Sequence, residues 1–173
     1  TASVRGLQDA VEQLAVDRAK QLFGAEHVNV QPHAGSQANM AVYFALLAPG
    51  DIMTSVALAN GAHISSAKFG AAGMRGVNTI NYPFDVERMN IDVDGTAKLI
   101  KLVKPAVAAF GQSVFLFPTP LKELHDAFQE AECRVWYDGA HVMGLIAGGK
   151  FQDPLHEGAD VLTGSTHKTL PGP

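Results

Sequence analysis

Between Ile52 and Thr163 the chain repeats one pattern: a short apolar run of strand length, a turn marked by glycine or proline, and a segment with helical spacing. This alternation constrains the fold more than any other feature. A strand followed by a helix and a further strand reads as a crossover unit, and successive crossovers build a parallel sheet with helices on its faces. The strand-length runs are Ile52 to Leu58, Val77 to Tyr82, Ala106 to Phe110, Arg134 to Tyr137 and Asp160 to Thr163. Ala106 to Phe110 is almost uninterrupted apolar sequence, as expected of a strand buried on both faces. Val93 to Val103 has helical spacing and stops before Pro105. After it, Thr119 predicts a helix cap, with Pro120 in the first turn and Leu121, Leu124, Ala127 and Phe128 on the buried face.

Upstream, Val4, Leu7, Val11, Leu14, Ala15, Leu22 and Phe23 recur at helical spacing around Asp17, Arg18 and Lys20, which predicts a helix with one buried face. Val28 to Val30 predicts a short strand ending at Pro32, and the loop from His33 to Ser36 feeds a helical run from Gln37 to Leu47. The expected fold is α/β, a mostly parallel sheet flanked by helices, forming one domain over residues 1–173.

Composition excludes several classes. The net charge is −4, and the Lys and Arg residues are scattered without interleaved aromatics, so nucleic acid is not an expected partner. No apolar stretch reaches membrane-spanning length, so no membrane is expected. Cys133 is the single cysteine, which excludes an internal disulfide and fits a reducing, cytoplasmic setting. The chain opens inside an amphipathic pattern and stops at Pro171-Gly172-Pro173, directly after its most polar motif. A fragment, incomplete at both ends, is therefore expected.

Ligands of parallel sheets gather at the carboxyl ends of the strands. Four polar clusters follow predicted strands: His33-Ala34-Gly35-Ser36, Asn60-Gly61-Ala62-His63, Asp138-Gly139-Ala140-His141 and Ser165-Thr166-His167-Lys168. Each alone has an ordinary explanation. Gly35-Ser36 is either a helix cap or a phosphate cradle at the positive end of a helix. Asp138 either caps the next turn or is held ionised by a cationic partner such as a protonated ring nitrogen. His63 and His141 serve equally as structural histidines, and Lys168 as a surface lysine. No His or Cys pair has metal-ligand spacing, so no metal is expected. Taken together, the clusters supply the roles of a pyridoxal phosphate site: a phosphate cradle, a flat side chain against the ring, a carboxylate on the pyridine nitrogen and a lysine for the Schiff base.

Val28 through Asn39 closely resembles the phosphate-binding stretch of serine hydroxymethyltransferases, and Ser165-Thr166-His167-Lys168-Thr169 resembles their cofactor-lysine motif. Val11-Glu12-Gln13-Leu14-Ala15, Asp51 through His63, and Asp138-Gly139-Ala140-His141 match between them in order, so the resemblance covers essentially the whole chain. It implies the large cofactor-binding domain of the aspartate-aminotransferase fold type. By the same resemblance Lys168 holds the cofactor, Gly35 and Ser36 bind its phosphate, His63 stacks on its ring and Asp138 pairs with the ring nitrogen. Ser113 and His141 match positions near the phenolic oxygen, Thr166 and His167 shape the surroundings of the lysine, and Leu58 and Ala62 fall where the family contacts its one-carbon carrier.

The implied reaction interconverts serine and glycine, with tetrahydrofolate or a related pterin as co-substrate, in a homodimer or larger assembly. Some positions depart from the family. Ala34 replaces a usual serine, Pro171 stands where many members carry arginine, and no upstream tyrosine and glutamate segment is present in this sequence. A threonine aldolase or transaldolase of the same fold, and a non-catalytic truncated subunit or interaction module, are the alternatives.

Overall fold

The computed structural model describes residues 4–173, which divide into two compact units between His33 and Ala34. In the first, α1 (Val4–Phe23) forms where the apolar spacing predicts it, but it has no buried residue. Val4, Leu7, Val11, Leu14 and Leu22 are all exposed, so the expected buried face is an apolar stripe that the described chain leaves uncovered. The predicted strand at Val28 to Val30 is absent, because the segment is extended but pairs with no other strand.

The second unit runs α2 (Gly35–Leu46), β1 (Ile52–Ser55), α3 (Ala71–Met74), β2 (Asn78–Asn81), β3 (Phe84–Asp85), β4 (Asn90–Ile91), α4 (Val93–Val103), β5 (Val107–Phe110), α5 (His125–Ala131), β6 (Arg134–Asp138), α6 (Met143–Ala147) and β7 (Val161–Thr163). β3 and β4 form a small antiparallel hairpin. The other five strands form one sheet in the order β2-β1-β5-β6-β7, every neighbouring pair parallel. The expected α/β class and mostly parallel sheet are both present.

Side-chain alternation divides the core between the two faces of the sheet. In β5, Ala108 and Phe110 enter the cluster with Ile100, Leu121, Leu124 and Phe128, while Val107 and Ala109 enter the cluster with Val42, Tyr43 and Met53. In β6, Val135 and Tyr137 join the first cluster and Trp136 the second. Asp138 follows two residues after Trp136 and is half-buried at the strand's end. Packing is aromatic on both faces: Tyr82 stacks on Phe110 at 4.9 Å, and Tyr43 meets Trp136 edge-on at 5.3 Å.

α4 matches its predicted span at both ends. The Asp92 side chain accepts from the Gly95 N–H, and the chain turns left-handed at Lys104 before Pro105. The helix expected to start at Thr119 begins instead at His125. Thr119 is no cap, because Gln152 takes both of its backbone groups: the Thr119 N–H donates to Gln152 Oε1 at 2.7 Å, and Gln152 Nε2 donates to the Thr119 carbonyl at 3.1 Å. Leu121, Leu124, Ala127 and Phe128 are nonetheless buried as expected, the first two from a turn preceding the helix.

The strand order reverses between β1 and β5, since connections from β1 lead outward to β2 on one side and to β5 on the other. Open parallel sheets bind ligands at the carboxyl side of that switch point. Gly111 closes β5 there with φ +86°, and a Cβ on it would lie 2.0 Å from the Asp138 carbonyl oxygen. No side chain fits between the ends of β5 and β6. Gly111→Ala is expected to cost about 3 kcal/mol or more, read by urea denaturation, because it adds both a left-handed-region penalty and a backbone clash. A loss below about 1 kcal/mol would contradict this close approach.

Candidate active site

Four strands end near the switch point, and the loops after them carry the polar residues. β1 leads to Asn60-Gly61-Ala62-His63, where the His63 side chain folds back onto its own turn. Its Nδ1 accepts from the Ser65 N–H at 3.2 Å and lies 2.8 Å from Ser65 Oγ. This loop is drawn to the one after β5 because the Ser113 and Val114 N–H groups both donate to the Gly61 carbonyl, at 2.8 and 3.1 Å. Gly61 is required there: its φ is +97°, and a Cβ would lie 2.0 Å from the Val114 carbonyl oxygen.

β6 delivers Asp138. Its Oδ1 accepts from the Ala140 N–H at 3.1 Å and its Oδ2 from Asn39 Nδ2 at 2.8 Å. The turn that follows presents His141, and the loop after β7 presents Lys168, whose Nζ lies 3.3 Å from His141 Nε2. Thr169 ties these two loops together. Its hydroxyl donates to the His141 carbonyl at 3.0 Å and accepts from the Gly144 N–H at 3.1 Å.

α2 begins at Gly35 behind Ala34, whose extended backbone occupies the cap position without a side-chain bond. The first turn of such a helix leaves N–H groups aimed outward, with the positive end of the helix dipole behind them. Ser165 lies beside this turn: its Cβ is 3.8 Å from where a Cβ on Gly35 would sit. The hydroxyls of Ser165 and Ser113 are both buried without a hydrogen-bond partner. An unpaired buried hydroxyl costs about 1–3 kcal/mol, so both are suited to receive an acceptor from a bound polar group.

The structure thus brings Asp138, His63, Ser113, His141 and Lys168 to one edge of the sheet. Asp138 and His63 line a crevice with Ser55, Ala62, Gly111 and Trp136 that encloses only about 20 Å³, room for one water. A ring-sized ligand therefore lies across its mouth. Ala62 is buried in that crevice, whereas Leu58 is exposed on the turn before it. Thr166 points elsewhere, its exposed hydroxyl donating to the Pro173 carbonyl at 2.7 Å, and His167 bridges to Pro171. Gly35 and Ser36 are at the helix start as expected.

Sequence reasoning overlooked Ser165 and Asn39. Ser165 was visible only as a neighbour of Lys168, and its facing of α2 depends on how the loop after β7 folds. Asn39 carried one signal, a position four residues after Gly35 and hence on the same helix face. Among the described residues no three His, Cys, Asp or Glu side chains form a group that could hold a metal. Burial pushes the Cys133 thiol up to about 11, which leaves it a packed, inert core residue.

Desolvation holds the His141 imidazole below its ordinary value of 6.5, and the Lys168 ammonium beside it lowers it further. Near neutral pH His141 is therefore uncharged, and its Nε2 accepts from Lys168. Because the folded state resists protonation here, the unfolded chain binds more protons as pH falls below 6.5, and stability declines in that direction until the lowered folded value is passed. An NMR titration of His141 is expected to give a midpoint below 6.5, and Lys168→Met is expected to raise it. An unmoved midpoint in the variant would show that the two groups do not interact.

Comparison with known proteins adds to this geometry. The family described as serine hydroxymethyltransferase matches residues 5–173. A serine hydroxymethyltransferase of Picrophilus torridus is 60% identical over 165 residues, covering 95% of this chain and 38% of that protein. One of Thermoplasma volcanium is 56% identical over 95% of this chain and 39% of its own length. One of Methanocella arvoryzae is 54% identical over 97% of this chain and 40% of its own. The chain thus spans about two fifths of the length of the curated relatives it matches.

Proposed function

The chain belongs to the serine hydroxymethyltransferase family, and from that premise we propose that it is the pyridoxal-phosphate-binding part of an enzyme interconverting serine and glycine. The observation that carries the reading is the pairing of Lys168 with His141 at 3.3 Å, on loops next to the strand that ends in Asp138. The residues fit the cofactor. The two partnerless buried hydroxyls, Ser113 and Ser165, and the open first turn of α2 supply donors for a phosphate and a phenolic oxygen.

In this reading the N–H groups of Gly35 and Ser36, with the Ser165 hydroxyl, hold the phosphate. Asp138 faces the pyridine nitrogen and keeps it protonated by ion pairing. His63 lies flat against the ring, and Ser113 and His141 serve the phenolic oxygen. When bound, pyridoxal phosphate supplies an electron-poor ring that draws electrons from the substrate's α-carbon. Lys168 contributes the amine that holds the cofactor and later exchanges with the substrate amine. His141, kept neutral by burial and by Lys168, accepts a proton from the lysine and so frees its lone pair for attack. Thr166 and His167 shape the lysine loop without reaching the ring.

Residues 1–173 are read as the large cofactor domain, and the same reading assigns tetrahydrofolate or a related pterin as the one-carbon carrier, with Leu58 and Ala62 near it. It also assigns a homodimer or larger assembly, to which the uncovered stripe of α1 is suited, and a cytoplasmic setting. No helix among the described residues is long and apolar enough to cross a membrane. The aldolase and non-catalytic alternatives are less favoured, because relatives at 53–60% identity carry the hydroxymethyltransferase name.

The test is an absorbance titration of the purified protein with pyridoxal phosphate, followed by borohydride reduction and peptide mass spectrometry. A yellow band and a reduced adduct on Lys168, both lost in Lys168→Ala, are expected. No band in folded protein, or an adduct spread over exposed lysines, would overturn the reading.

A further inference from the structure

Asn39 belongs to none of the roles above, yet it is 3% exposed and every polar atom of its side chain has a partner across the sheet. Trp136 Nε1 donates to Thr163 Oγ1 at 3.0 Å. An indole N–H is a donor only, so the threonine hydroxyl accepts from it and directs its own hydrogen to Asn39 Oδ1 at 2.9 Å. This fixes the amide. Its Nδ2 must face the other way, where it donates to Asp138 Oδ2 at 2.8 Å and lies 3.4 Å from Ser65 Oγ. Ser65 in turn meets His63 Nδ1. Trp136 and Thr163 are also buried, so solvent does not compete for any link between the indole and the amide.

We propose that Asn39 is a positioning residue: a buried relay from Trp136 through Thr163 locks its amide so that it aims the Asp138 carboxylate at the ring nitrogen and ties that carboxylate to the His63 turn. The proposal rests on the reading that Asp138 serves the cofactor. Its physical content is directional. A free asparagine could present either oxygen or nitrogen to Asp138, and only the nitrogen is compatible with a carboxylate. Thr163 removes that freedom without touching Asp138. With Ala140 holding Oδ1 and Asn39 holding Oδ2, the carboxylate plane is set from both ends before any ligand arrives.

Asn39→Asp, Asn39→Leu and Thr163→Val separate this role from mere packing. Asn39→Asp keeps size but puts an acceptor against an acceptor; Thr163→Val keeps shape and removes only the far hydroxyl. Pyridoxal phosphate affinity is expected to weaken about tenfold or more in Asn39→Asp, and several-fold in Thr163→Val, with a displaced cofactor absorbance band in both. Trp136 is the only tryptophan in the chain, so its indole N–H gives one NMR resonance that reports the relay without cofactor. That resonance is expected to shift in cofactor-free Asn39→Leu, although the two side chains are not bonded to each other.

If the Asn39 variants fail to fold, Thr163→Val carries the test alone. Wild-type affinity and band in Thr163→Val and in folded Asn39→Asp would overturn the positioning role. An unmoved indole resonance in folded Asn39→Leu would overturn the relay. Wild-type protein that takes up no pyridoxal phosphate would defeat the cofactor reading instead, and the indole resonance then decides the relay by itself.

Discussion

The parallel pairing of β5 with β6, Val107 to Phe110 against Arg134 to Tyr137, is the constraint on which the site depends. Both strands are buried on both faces, so a slip of one residue would send Trp136 into the wrong cluster and Asp138 to the wrong side. Gly111 then brings the end of β5 against the Asp138 backbone at a separation that no Cβ allows. From that junction β7 adds alongside β6 and carries Lys168 to the same edge, while β1 adds alongside β5 and carries His63. The chemistry is thus drawn from four distant stretches of sequence by strand register rather than by local motifs.

Much of this was legible in residue order, for a physical reason that also marks where legibility stops. α4 was readable at both ends because its signals are local: Asp92 caps it, and Pro105 forbids its continuation. The buried pattern of β5 and the polar clusters after the strands were readable because the sheet imposes period two and places ligands at carboxyl ends. Thr119 misled because its capping chemistry is real but Gln152, 33 residues later, claims its backbone first. Val28 to Val30 misled because β propensity describes a segment that still needs a neighbour to pair with. Asn39 was opaque for the same reason, its partners lying 99 and 124 residues away.

The two faces of this account have different energetic character. The apolar core around Phe110, Leu124 and Tyr137 is held by burial and aromatic packing, and it tolerates little polarity. The site edge does the opposite, keeping the hydroxyls of Ser113 and Ser165 buried without partners and Lys168 close to a neutral imidazole. Such arrangements cost stability in the free protein and are recovered when a polar ligand arrives. The relay through Asn39 keeps one part of that edge fixed in advance, so that less ordering is left for binding.

The central claim is that Lys168, Asp138 and the start of α2 form one cofactor site. A crystal structure of the protein grown with pyridoxal phosphate tests it most directly. The account predicts density continuous with Lys168 Nζ, the ring nitrogen at Asp138 and the phosphate at the N–H groups of Gly35 and Ser36. Cofactor bound elsewhere, or an unmodified Lys168 beside an occupied site, would contradict it.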